Sequence, residues 1–124
     1  MIVSTVSVTD STLDHNLADG GGGGNGEGGG IANLLAATTT VDDSSLTHNE
    51  ADGDCRGAGL GGGAYNDASS TLALTDSSVT ENQADGSPGM GGGVYNDLGT
   101  LNTDATDHIM KNFASTSNDN IFNP

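Results

Sequence analysis

The stretch "GGGAYNDASSTLALTDSSVTEN", from Gly61 to Asn82, decides how the chain folds. Thr71, Leu72, Ala73, Leu74 and Thr75 alternate with the two-residue period of a strand that buries one face. Asn-Asp before this run and Asp-Ser after it are turn formers, because their side chains bond to nearby backbone. The unit therefore reads as three short extended pieces, "GGAYN", "TLALT" and "SVTEN", joined by corners. No stretch has a helical period of any length.

The unit recurs. "LDHNLADG" at Leu13, "LTHNEADG" at Leu46 and "VTENQADG" at Val79 place Asn16, Asn49 and Asn82 at steps of 33 residues, and "IMKNFAST" places Asn112 a further 30 on. The glycine triplets starting at Gly28, Gly61 and Gly91 keep the same steps, 33 and then 30. The three-residue deletion thus falls in "ADGSPGM", the only loop where length is expected to vary. Fixed repeats built of short strands describe a solenoid, each coil pairing with the next at about 4.8 Å. The expected fold is an all-β parallel β-helix with three strands per coil, in a single domain over 1–124. The coil units are approximately 1–27, 28–60, 61–90 and 91–124, giving three and a half to four coils.

In that arrangement Val6 and Val8, Thr39 and Val41, and Leu72 and Leu74 share inward places. The glycines are corner devices, free of a Cβ where backbones approach closely. Ile31, Ala64 and Val94 point inward, and Tyr65 and Tyr95 outward. Two asparagine columns, Asn16/Asn49/Asn82/Asn112 and Asn33/Asn66/Asn96, are expected to form amide ladders that satisfy turn backbone. Asp10/Asp43/Asp76 form a third polar column.

These motifs resemble the tandem "GGA(I/L)" and "FxxN" repeats of chlamydial-type polymorphic outer-membrane proteins, and related bacterial and archaeal surface repeats of the pectin-lyase-like kind. "GGGI", "GGGA" and "GGGV" stand in the first motif. "LDHN", "LTHN", "VTEN" and "IMKN" stand in the second, with an aliphatic residue replacing the phenylalanine. The resemblance spans nearly the whole chain. It implies right-handed winding, an extracellular or cell-surface location and an adhesive or scaffolding role.

Seventeen acidic against two basic side chains give a net charge of −15. That balance argues against nucleic acid or an anionic membrane as partner, both of which require a positive footprint. The opening "MIVSTVSVTD" lacks the basic start and apolar run of an export signal, and no apolar run is long enough for membrane insertion as a helix. Polysaccharide-cleaving β-helices combine clustered acids with a groove and usually a basic residue. Arg56, in the variable loop, and Lys111, near the end, are the only two here, so no catalysis is expected.

Four surface features remain. Asp19, Asp52 and Asp85, and likewise Asp10, Asp43 and Asp76, stack carboxylates on successive coils, where mutual repulsion favours solvation or bridging by calcium. His15, His48 and Glu81 share the register just before the asparagine column and offer two imidazoles and a carboxylate to a metal ion, with Lys111 adding a repelling charge. Tyr65 and Tyr95, beside Leu60 and Met90, offer a surface for carbohydrate or for a neighbouring filament. Thr5, Ser7, Thr9, Thr38, Thr40, Thr71 and Thr75 make a partial outward array of the kind ice-binding solenoids present. Cys55 is the only cysteine and is expected to be an exposed thiol.

The chain opens in second-strand sequence and closes on a degenerate first strand, Asn120, Ile121 and Phe122. One end lacks what the other supplies, so Ile121 and Phe122 are expected at a head-to-tail stacking interface that propagates copies into a filament. The alternative is a calcium- or sugar-binding piece of a larger surface adhesin.

Overall fold

A computed structural model describes residues 3–124. The longest alternating runs become the longest strands, Thr5–Thr9, Thr38–Asp42 and Thr71–Thr75. They lie side by side in parallel, with Thr5 beside Thr38 and Thr38 beside Thr71, and Thr100–Asn102 continues the sheet. A second sheet stacks Thr12–Asp14, Ser45–Thr47, Ser78–Thr80 and His108–Met110. A third stacks Leu17–Asp19, Glu50–Asp52, Gln83–Asp85 and Phe113–Ala114. The fourth, of three strands, holds Gly26–Glu27, Gly59–Leu60 and Gly89–Met90. The fifth holds Ile31–Asn33, Ala64–Asn66, Val94–Asn96 and Ile121–Phe122. Every pairing is parallel between successive coils, and no helix occurs among the described residues. The chain is a parallel β-solenoid of about three turns.

Five strands per coil replace the expected three. The piece "SVTEN" and the residues after it do not run straight: Glu81 adopts φ 59, a left-handed bend that separates Ser78–Thr80 from Gln83–Asp85. His15, His48 and Lys111 make the same bend on the other coils, at φ 55, 51 and 59. Loop length also varies more than expected. The deletion does fall between Asp85, paired with Asp52, and Gly89, paired with Gly59. The turn around Asp97 is one residue shorter than its neighbour, however, and the turn before His108 restores it: Thr71 pairs with Thr100 and Ser78 with His108.

The core follows the inward alternation. Val41, Leu46, Ala64, Leu72, Leu74, Val79 and Val94 form one cluster, flanked by Val8, Leu13 and Ile31 at one end and by Leu101, Ile109 and Ile121 at the other. Position along the axis modifies the pattern. Thr39 and Leu72 are 3% and 0% exposed, whereas Val6 in the same inward place is 48% exposed because no coil covers it.

Glycine is required where the triplet crosses close to the asparagine column. Gly61 takes φ 69, and a Cβ there would sit 2.0 Å from the Ala64 carbonyl oxygen. A Cβ on Gly63 would meet Val79 Cγ1 at 2.7 Å and Asn82 Nδ2 at 3.1 Å. Three glycines in a row therefore serve both a left-handed turn and a narrow passage.

Candidate functional site: a ladder-built corner

Both asparagine columns are hydrogen-bonded ladders. Asn49 donates its backbone N–H and its Nδ2 to Asn82 Oδ1, at 2.9 and 3.0 Å. Asn82 donates in the same way to Asn112, both at 3.0 Å. The Nδ2 groups of Asn49, Asn82 and Asn112 also donate to the carbonyls of Leu13, Leu46 and Val79, which ties each corner to a strand of the preceding coil. In the second column Asn33 donates to Asn66, Asn66 to Asn96, and Asn96 to Asn123. Asn49, Asn66 and Asn82 are almost wholly buried, and among the described residues no buried side-chain polar atom lacks a partner.

A third ladder was not anticipated. The N–H of Ser11 donates to Ser44 Oγ, that of Ser44 to Ser77 Oγ, and that of Ser77 to Asp107 Oδ1. Its signal lay in the recurring Asp-Ser pair, which reads as generic turn chemistry until the coils are stacked.

The left-handed corner just before the first ladder gathers the side chains with the richest chemistry. Each corner residue is followed by a ladder asparagine, so the ladder fixes which way the corner points. His15 and His48 stack with ring centroids 4.7 Å apart and planes 11° from parallel. Asp14, at the end of its strand, lies against both: Oδ2 is 2.8 Å from His15 Nδ1, and Oδ1 is 3.2 Å from His48 Nδ1. Thr47 Oγ1 also donates to Asp14 Oδ1, at 2.9 Å. The hydrogen bond with His15, then that with Thr47, holds the Asp14 carboxyl below its ordinary range. Glu81 Oε2 lies 2.7 Å from His48 Nε2, on the far side of the ring from Asp14. Asp14, His15 and His48 bring three donor atoms within 4.8 Å of one another and are the only such group among the described residues.

Sequence reasoning brought His15, His48 and Glu81 together but missed Asp14. The residue precedes His15, and neighbours along a strand normally diverge. The left-handed bend at His15 is what turns its ring back toward Asp14.

The aspartate columns are built otherwise. Asp19 Oδ1 accepts from the Gly21 N–H and Asp52 Oδ1 from the Asp54 N–H, both at 2.7 Å, while Asp85 accepts from Gln83 Nε2. The first two close turns, whereas the third joins two side chains on one strand. Asp10, Asp43 and Asp76 occupy another left-handed corner at φ 49, 47 and 48, and line a shallow groove with Ser44, Ser77 and His108. The charge of Asp42, then partial desolvation, then Asp10 and Asp76, raise the Asp43 carboxyl above its ordinary range.

Tyr65 and Tyr95 stack with centroids 5.5 Å apart, and Phe122 continues the stack 4.6 Å beyond Tyr95. Ile121 and Phe122 thus spend one strand edge on Val94 and Tyr95 of their own chain. Tyr65 is nearly covered, and desolvation, followed by the nearby Glu27 and Asp97 charges, pushes its phenol up to about 12. The outward rows of the first sheet align Thr5, Thr38, Thr71 and Thr100, while Ala73 and Asp42 interrupt the rows beside them. Cys55 is a free, exposed thiol beside Arg56 and the Gly22–Gly23 turn. No family model, curated protein or solved structure matches this chain.

Proposed function

We propose that the chain is a non-catalytic structural or adhesive solenoid module that assembles with copies of itself, head to tail, by coil stacking. The observation that carries this reading is the common polarity of its ladders. Among the described residues, Asn16 enters its ladder only as a donor, through its N–H and Nδ2, and that ladder terminates on Asn120, which enters only as an acceptor. The second ladder likewise terminates on Asn123 as an acceptor. The first coil therefore presents spare acceptor capacity at Asn16 Oδ1, and the last presents spare amide donors on Asn120 and Asn123. Head-to-tail stacking pairs these groups; head-to-head stacking sets like against like. Among the described residues the outer strands of both end coils add edges without a neighbouring strand, and Val6, Val8, Leu13, Leu101 and Ile109 add incompletely covered core side chains. Such a contact is heterologous and propagates.

In this reading the module acts outside the cell or on its surface, as the resemblance to polymorphic outer-membrane and pectin-lyase-like repeats implies, and the acidic surface suits a cation-rich medium. Sedimentation velocity and negative-stain microscopy across a concentration series test the assembly. Rods that lengthen with concentration, and that revert to monomer in Val6→Lys, are expected. Particles of a single small size at every concentration would refute it.

A second reading, ice binding, draws on the aligned row Thr5, Thr38, Thr71 and Thr100. Thermal hysteresis in the wild type that is lost in Thr38→Lys is its test.

A further inference from the structure

The ladders leave the His–carboxylate corner beside them unexplained, although its rings stack from coil to coil. His48 faces a carboxylate oxygen through each ring nitrogen: Asp14 Oδ1 at 3.2 Å from Nδ1 and Glu81 Oε2 at 2.7 Å from Nε2. A neutral imidazole carries one N–H and one lone pair, so it can donate to only one of them. The shorter distance assigns the N–H to Nε2, facing Glu81, and leaves the Nδ1 lone pair aimed at an anion. Either a second ring proton, which lets the imidazolium donate to both carboxylates, or a metal ion shared with Asp14 resolves that conflict. His15 Nδ1 lies on the other oxygen of the same carboxylate, at 2.8 Å, and its ring is stacked on that of His48. Two imidazole nitrogens and a carboxylate thus converge from adjacent coils.

We propose that Asp14, His15 and His48 bind one divalent ion of the zinc, copper and nickel class, with Glu81 as a positioning residue. The two nitrogens select borderline metals over calcium or magnesium, which take oxygen donors. Glu81 on Nε2 is the outer partner that metal-bound histidines commonly have, fixing the ring's tautomer so that Nδ1 is the ligand. The donor atoms lie up to 4.8 Å apart. Donors of a tetrahedral zinc, at about 2.0–2.1 Å from the metal, lie roughly 3.4 Å apart, so closure requires movements on the order of 1 Å. The ligands can make them, because the side chains of His15, His48 and Asp14 are 71%, 47% and 43% exposed. The third histidine, His108, lies in a different groove, and Cys55 is in the loop beside Arg56. Solvent completes the coordination shell. The bound ion is a clamp between the first coil, which holds Asp14 and His15, and the second, which holds His48.

The test titrates the untagged full chain with Zn²⁺ and with Cu²⁺ by calorimetry. Copper EPR counts coordinated nitrogens, and imidazole ¹⁵N shifts report which ring nitrogen is the ligand. One equivalent should bind, two nitrogens should appear in the copper spectrum, and zinc should raise the melting temperature. His15→Asn with His48→Asn keeps a residue type that accepts the left-handed corner and should abolish all three effects while circular dichroism stays unchanged. Glu81→Gln should weaken binding by roughly tenfold and change the tautomer signature of His48 in the metal-free chain. His108→Asn and Cys55→Ser should bind as wild type. Absence of saturable binding, a single nitrogen in the copper spectrum, or binding that survives the double variant would each overturn the proposal. Loss of binding in His108→Asn or Cys55→Ser would do the same.

Discussion

Replacing Asn82 with alanine should cost far more than the same change at Asn16, although both occupy one place in the repeat. The Asn82 side chain accepts from the N–H and Nδ2 of Asn49, and it donates to the Leu46 carbonyl and to Asn112 Oδ1. All four bonds are buried, and their loss strands the Asn49 N–H and leaves Asn49 Nδ2 and Asn112 Oδ1 with one partner fewer each. At a net value of about 1 kcal/mol per bond, truncation removes about 4 kcal/mol, and the stranded groups add to that. Typical domain stabilities are about 5–15 kcal/mol, so Asn82→Ala should come close to unfolding the chain. The Asn16 side chain makes one bond, from Nδ2 to Asn49 Oδ1, at an exposed position. Its loss should cost about 1 kcal/mol or less. Urea denaturation followed by circular dichroism measures both. With a slope of about 2 kcal/mol/M, the midpoint should fall by about 2 M for Asn82→Ala and by less than about 0.5 M for Asn16→Ala. Equal losses at the two positions would show that the ladder is not a coupled stack and that the energetic argument is wrong.

Gly62→Ala should destabilise by about 1–3 kcal/mol or more, because its Cβ would lie 2.3 Å from the Gln83 carbonyl oxygen, whereas Gly22→Ala meets nothing within 4 Å and should leave the melting temperature unchanged. Asp43→Asn should stabilise the chain at neutral pH. Its folded pKa lies above the unfolded one, so any stability the carboxyl contributes is present below the unfolded pKa and is lost as pH rises through the folded pKa. The gain should therefore shrink toward pH 3, and melts of the two proteins across pH check the sign. Asp14 should behave in the opposite sense. Its lowered carboxyl stabilises above the unfolded pKa, and that contribution disappears as pH falls through the folded value, so Asp14→Asn should cost stability at neutral pH and little in strong acid. Alkaline difference spectroscopy should find the Tyr65 phenolate only near pH 12, and an ordinary tyrosine titration in Tyr95→Phe would contradict the covered stack.

Much of this molecule was legible in the order of its residues. Parallel stacking copies a sequence period directly into space, so residues 33 apart become neighbours without any further folding decision. That is why both asparagine ladders, the inward aliphatic rows, the glycine corners and the pairing of His15 with His48 could be named from the chain alone. The strand count per coil depended on left-handed bends at His15, His48, Glu81 and Lys111. No local rule demands a bend at those residues; the ladder asparagine that follows each one holds it. The same bends bring Asp14 onto both imidazoles and set Glu81 on the outer face of His48, contacts that linear spacing does not encode. The exposure of Val6 beside the burial of Thr39 was likewise a matter of tertiary structure, because burial in a solenoid depends on whether a coil lies above a residue as well as on which way its side chain points.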